Sequence, residues 1–266
     1  MSCTAKWWHA PPPWRPMADL PAHLRGLRGD VTVHQDAGQL ADAAAAMLSR
    51  ESADVCAAAG RFAVALAGGH TPAALFERLT VAPYREQIDW PVWAVYFGDE
   101  RAVAPDDPAS NFRMAKEKLL DHVPIDPQRV HRMPGDAPRL DVAADEYAVT
   151  LHGDLPEGPH HAPRLDCILL GLGENGHTAS LFPGTPALTV TDRWVTRGLA
   201  DYKPYERLTL TYPTINAAAL VVFLVAGESK AAALRETAAG TTPAAGVNPV
   251  DGRLVWLIDA AAAGSG

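Results

Sequence analysis

Cysteine, basic charge and long apolar runs are all scarce in this chain, and each shortage closes off a class of function. The three cysteines, Cys3, Cys56 and Cys167, are far apart and none belongs to a C-x-x-C pair. Neither a disulfide framework nor a zinc site is expected, and a reducing, cytoplasmic setting fits. Acidic residues outnumber basic ones, 31 to 23, for a formal charge of −8. A protein that neutralises a phosphate backbone carries a basic surplus, so nucleic acid is not the expected partner, although a local pocket can still hold a small anion. No apolar stretch approaches the roughly 20 residues needed to cross a bilayer, which argues against a membrane partner. The N-terminal stretch MSCTAKWWHAPPPWRP also lacks the apolar segment of a signal peptide. Residues 1–29 read as a loosely ordered Pro/Trp-rich leader, with Met17 as an alternative start, and residues 30–266 as one domain.

What is present is a chain with 48% hydrophobic residues, ample for a buried core. The Ala-rich stretch 36–60 opens on Asp36 as an N-cap and stops at Gly60, the pattern of a long helix. Apolar runs at 61–69, 92–97, 165–173, 207–211, 220–227 and 253–259 read as strands. Several are continuous rather than alternating, as in strands buried on both faces. Helical patterns at 72–79, 110–123, 141–155 and 228–240 lie between them. The alternation implies a single-domain α/β fold, with a Rossmann-like, mostly parallel sheet flanked by helices on both faces. Residues 156–163 read as a loop whose His160 and His161 are surface residues.

Gly171, Gly173 and Gly176 have the G-x-G-x-x-G spacing of a dinucleotide site. That fingerprint requires its third glycine to open a full helix, with an acidic residue about twenty positions on. Here only HTASLF separates Gly176 from the PGTP at 183–186, and Pro183 and Pro186 stop a crossover helix. Asp192 alone is a weak match to the acidic position. The glycines are better read as a sharp turn at a strand end that presents His177 to a cleft, because ligands of open α/β sheets bind beyond the carboxyl ends of the strands.

Other strand ends supply company for His177. In 67-AGGHTPAALFERL-79, Gly68, Gly69 and His70 precede Thr71 and Pro72, read as the N-cap and first position of a helix. Free N–H groups and the positive end of the helix dipole suit an anion there. Asp99, Glu100 and Arg101 stand together behind the next strand, more charge than a plain solvated loop calls for. Lys230 falls in the first turn of a helix, where the dipole disfavours a cation unless an anionic ligand offsets it.

Together, GGHTP at 68–72, DER at 99–101 with SN at 110–111, the GxGxxGHTASLFPG of 171–184, RLTLTYPTIN at 207–216 and G-x-x-K at 227–230 resemble the 6-phosphogluconolactonases. These enzymes share a superfamily with glucosamine-6-phosphate deaminase, and the likeness runs from about Val31 to Asp259. The resemblance implies hydrolysis of 6-phospho-D-glucono-1,5-lactone to 6-phospho-D-gluconate, the second step of the oxidative pentose phosphate pathway, with neither metal nor organic cofactor. It implies a small phosphosugar lactone as the partner; the sequence does not choose between a monomer and a homodimer. It makes His177 the base and places phosphate contacts on the Gly68–Thr71 loop, Arg101 and Lys230, with Arg207 a further candidate. A neutral histidine near its ordinary pKa of about 6.5 suits water activation. Backbone N–H groups around Gly173–Gly176, or a nearby cation, would stabilise the oxyanion. Ser180 lacks the G-x-S-x-G elbow of a covalent nucleophile.

Two departures stand out. The family usually carries Asp where this chain has Asn175; an amide supplies a hydrogen bond but no charge, and Asp99 or Glu100 is the candidate to compensate. His70 replaces a frequently small residue and would add a titrating donor to the phosphate. The aminosugar-phosphate isomerases and deaminases are the main alternative, but they typically carry D-E-Y and G-H-I-A-F-N-E-P in place of DER and GHTASLFPG. A non-catalytic sugar-phosphate sensor, with Asn175 marking lost chemistry, is the other.

Overall fold

Six strands built almost wholly from buried residues form a parallel sheet in the order β1-β9-β8-β5-β2-β3. They are β1 (Asp30–His34), β2 (Phe62–Leu66), β3 (Trp93–Phe97), β5 (Cys167–Gly171), β8 (Leu220–Val225) and β9 (Arg253–Asp259). Every residue of β2, β3 and β8 is buried. Since successive side chains point to opposite faces, both faces of the sheet must be covered, and the α/β expectation holds. The computed structural model describes residues 20–264.

The coverage comes from α1 (Ala37–Ala59), α2 (His70–Leu79), α3 (Tyr84–Gln87), α4 (Asn111–Lys118), α5 (Leu140–Asp154), α6 (Tyr212–Ala217), α7 (Ala231–Ala238) and α8 (Ala260–Ala263). In α1 the Asp36 carboxylate accepts from the Gln39 N–H at 2.8 Å, and Gly60 ends the helix at φ 72°. Its buried Leu40, Ala44, Met47 and Leu48 form the stripe that packs on the sheet.

The strand expected at 207–211 does not join the parallel sheet. As β7 (Glu206–Leu210) it lies between β4 (Asp99–Arg101) and β6 (Val195–Leu199) in a small antiparallel sheet. Its apolar alternation matched the main strands, but the short connection from β6 allows only antiparallel pairing. The residues DER, expected behind a strand, are therefore a strand themselves. Residues 159–161 of the expected loop form a 3-10 turn with His161 exposed.

Residues 1–19, with Cys3 and Met17, lie outside the described residues. The remainder of the expected leader is not loose. Leu24 is fully buried, the turn Ala22–Leu24 packs on α7, and Trp256 Nε1 donates to the Arg28 carbonyl at 2.9 Å. Burial of Leu24 and Leu27 ties this part to the core. Among the described residues no helix is long and apolar enough to cross a membrane, and no three His, Cys, Asp or Glu side chains are grouped to hold a metal.

Candidate active site

The loops leaving the carboxyl ends of β2, β3, β5 and β8 enclose a cleft of about 180 Å³, to which β4 and β7 contribute Asp99, Arg101 and Arg207. It lies where the strand order reverses: the chain leaves β2 for β3 on one side and later reaches β5 on the other.

His177 enters this cleft from a tight turn. The Gly173 N–H donates to the His177 carbonyl at 2.8 Å, and the Gly176 N–H to the Gly173 carbonyl at 3.0 Å. A Cβ on Gly173 would fall 2.0 Å from His177 Nδ1, so glycine is what leaves room for the ring. The imidazole stacks on Phe182 with centroids 3.9 Å apart. Its Nδ1 lies 2.6 Å from Asn175 Oδ1. An amide oxygen can only accept, so Nδ1 carries the proton and Nε2 keeps its lone pair.

Burial pushes the His177 pKa down to about 4; Asp99 and Asp201 pull it up, while Lys230 and Arg207 add to the fall. The expectation of a base near the ordinary value is corrected, because taking the imidazolium out of water outweighs the nearby carboxylates. The turn also uses the N–H groups of Gly173 and Gly176 internally. Of the expected oxyanion donors, the nearby cations are better placed than these two.

The cationic side of the cleft is formed by Arg101, Arg207 and Lys230. Arg207 is 1% exposed, and neither Nη1 nor Nη2 has a hydrogen-bond partner among the described residues. Its guanidinium lies over the Tyr202 ring at 5.2 Å. Burial, then the neighbouring Arg101, depresses the Arg207 pKa. The Arg101 side chain donates to the Ala109 carbonyl, and Lys230 stands immediately before α7.

The Gly68–Gly69 loop also lines the cleft, but helix α2 begins earlier than the Thr71-Pro72 pair suggests. Gly69, at φ 102°, is the N-cap, and the Ala73 N–H donates to its carbonyl at 3.1 Å. Pro72 is tolerated as the third helical residue because the first turn has no partner for its N–H anyway. His70 is exposed, and neither it nor Thr71 is among the lining residues. A Cβ on Gly68 would meet Asn111 Oδ1 at 1.9 Å.

The two acidic neighbours separate. Asp99 lines the cleft, accepting from Ser180 Oγ at 2.6 Å and from Asn111 Nδ2 at 3.1 Å. Glu100 is turned away: its carboxylate accepts from the N–H groups of Arg101, Asn111 and Phe112 and from the Ser110 hydroxyl. Burial raises its pKa against those backbone hydrogen bonds. Its position is that of an anchor for the start of α4. Ser180, hydrogen-bonded to a carboxylate rather than to His177, is not arranged as a nucleophile.

Asn111, present in the SN pair of the resemblance, and Phe182, Tyr202 and Asp201 join the site without being singled out by the sequence pattern. Phe182 lies within the HTASLF segment and was within reach. Tyr202 and Asp201 sit in the loop after β6, where no motif marks them.

Residues 35–256 match the family described as glucosamine-6-phosphate isomerases/6-phosphogluconolactonase. A 6-phosphogluconolactonase of Synechocystis sp. is 46% identical over 205 residues, covering 75% of this chain and 82% of the relative. One of Streptomyces coelicolor is 40% identical over 243 residues, covering 88% and 93%. The solved structure of 6-phosphogluconolactonase from Trypanosoma brucei superposes with a TM-score of 0.77 at 29% identity, covering 88% of this chain and 97% of its own.

Proposed function

The chain belongs to the family of glucosamine-6-phosphate isomerases and 6-phosphogluconolactonases, and from that premise we propose that it hydrolyses 6-phospho-D-glucono-1,5-lactone to 6-phospho-D-gluconate. The observation that carries this reading is one cleft holding both a neutral histidine with an open Nε2 and a buried arginine whose two terminal nitrogens have no hydrogen-bond partner among the described residues.

The phosphate is held by Arg101, Arg207 and Lys230 beside the Gly68–Gly69 loop. Arginine gives paired donors, and the helix start adds a favourable dipole. Anchoring the phosphate places the lactone carbonyl against His177 and converts the encounter into an intramolecular step. Nε2 takes a proton from water as its oxygen attacks the carbonyl carbon. The attack leaves a tetrahedral oxyanion within the positive potential of the cleft. Its collapse breaks the bond from that carbon to the ring oxygen, and the imidazolium returns its proton to the leaving alkoxide.

The test is lactone generated in situ, its loss followed with wild type, His177→Ala and buffer alone, because the lactone also hydrolyses unaided. Acceleration by wild type that disappears in the variant is expected. Folded wild type that leaves the spontaneous rate unchanged overturns the reading.

A further inference from the structure

The Asn175 amide has two ends, and only one of its two orientations gives the histidine a proton on Nδ1. Asn175 Nδ2 lies 2.8 Å from Asp201 Oδ2. A carboxylate only accepts, so the NH2 end must face Asp201 and the oxygen must face His177. The His177 backbone N–H donates to the same oxygen at 3.1 Å, favouring the same orientation. Reversing the amide would set an NH2 against Nδ1, move the ring proton to Nε2 and leave no lone pair toward the cleft.

Asp201 is delivered from a separate element, the loop joining β6 to β7. Ala200 N–H closes that loop on the Tyr205 carbonyl at 2.7 Å. Tyr202 seats it against Phe182, with centroids 5.8 Å apart.

We propose that Asp201 is a positioning residue for His177, holding the Asn175 amide so that the proton stays on Nδ1 and Nε2 remains open as the base. The proposal rests on the lactonase reading of the same cleft. It places a negative charge one hydrogen bond beyond the amide that faces the imidazole. Asp201 is exposed, so water competes for the amide and the effect is smaller than direct loss of a catalytic partner.

Two measurements on the full chain test it. In Asp201→Ala, kcat is expected to fall about tenfold with KM little changed, the scale of losing an outer-shell orienting group. Asp201→Asn keeps an acceptor oxygen and is expected to stay within about threefold of wild type. The paired exchange Asn175→Asp with Asp201→Asn reverses the hydrogen-bond polarity and is expected to do the same. Independently of turnover, nitrogen NMR of the His177 ring is expected to show the Nδ1–H tautomer in wild type and a growing Nε2–H fraction in Asp201→Ala. Unchanged kcat in Asp201→Ala, or a fall with the tautomer unchanged, overturns the proposal. If wild type shows no lactonase activity, the function reading fails separately, and the NMR comparison still decides the role of Asp201.

Discussion

Arg101 and Arg207 stand directly opposite each other across the antiparallel pair β4 and β7. Like charges in that position repel, and among the described residues the buried Arg207 guanidinium has no hydrogen-bond partner for either terminal nitrogen. The fold accepts this cost where a dianion would remove it. Arg207→Met is therefore expected to stabilise the ligand-free protein by about 1–3 kcal/mol. The same change is expected to raise KM at least about 30-fold, as when one partner of a buried charge pair is removed. Thermal unfolding with and without inorganic phosphate checks both: wild type gains stability from phosphate and the variant gains little. A variant less stable than wild type without ligand would remove this account.

The depressed pKa of His177 gives a signed prediction for stability. The unfolded ring titrates near its ordinary 6.5 and the folded one near 4. Between these values the unfolded chain takes up a proton that the native protein does not, so stability falls as pH falls through this window. The contribution reaches roughly 3 kcal/mol. His34 and His131 are also depressed by burial and act in the same direction, so the His177→Gln difference is what isolates the site. Urea unfolding at pH 7 and pH 4.5 should show the smaller loss in the variant.

Phosphate binding should move that ring in the opposite direction. Lys230 and Arg207 help to hold the His177 pKa down, and a bound dianion offsets them. An NMR titration of the ring is expected to show a higher midpoint with saturating inorganic phosphate than without it. An unchanged midpoint would place the phosphate away from these two cations.

Gly173→Ala separates catalysis from folding. The added methyl would lie 2.0 Å from His177 Nδ1, so the ring must leave its place between Asn175 and Phe182. A kcat loss of about 100-fold is expected, since small misplacements of a catalytic group have effects of that size. Near-wild-type kcat in the folded variant would show that the ring position is not critical.

Glu100→Gln tests the anchor at the start of α4. Four donors converge on the carboxylate, while an amide offers one oxygen and turns an NH2 toward donors. A destabilisation of about 2–4 kcal/mol is expected, with kcat per folded molecule within about threefold of wild type. A large kcat loss at unchanged stability would return Glu100 to the chemistry.

Local chemistry was legible where one residue's environment is supplied by its chain neighbours. Asp36 and Gly60 bound α1 as read, the continuous apolar runs became strands buried on both faces, and the prolines after Gly176 excluded a crossover helix. His177 is legible because its glycine turn is contiguous with it, and Arg101 and Lys230 because they follow apolar runs, whereas Arg207 enters only through the resemblance to the 6-phosphogluconolactonases.

What the sequence by itself determined was thus the α/β class, the strand ends and the residue types gathered there, since hydrophobic periodicity and turn chemistry act over a few residues. Tertiary structure decided the partners. Pairing of β4 with β7 set Arg101 against Arg207, the packing of α4 turned Glu100 inward while Asp99 stayed at the cleft, and the β6–β7 loop brought Asp201 to an amide 26 residues away. Burial then moved the His177 pKa far from its ordinary value. Hydrogen bonding and desolvation depend on which distant groups share a volume, and that is fixed only when the sheets close around the cleft.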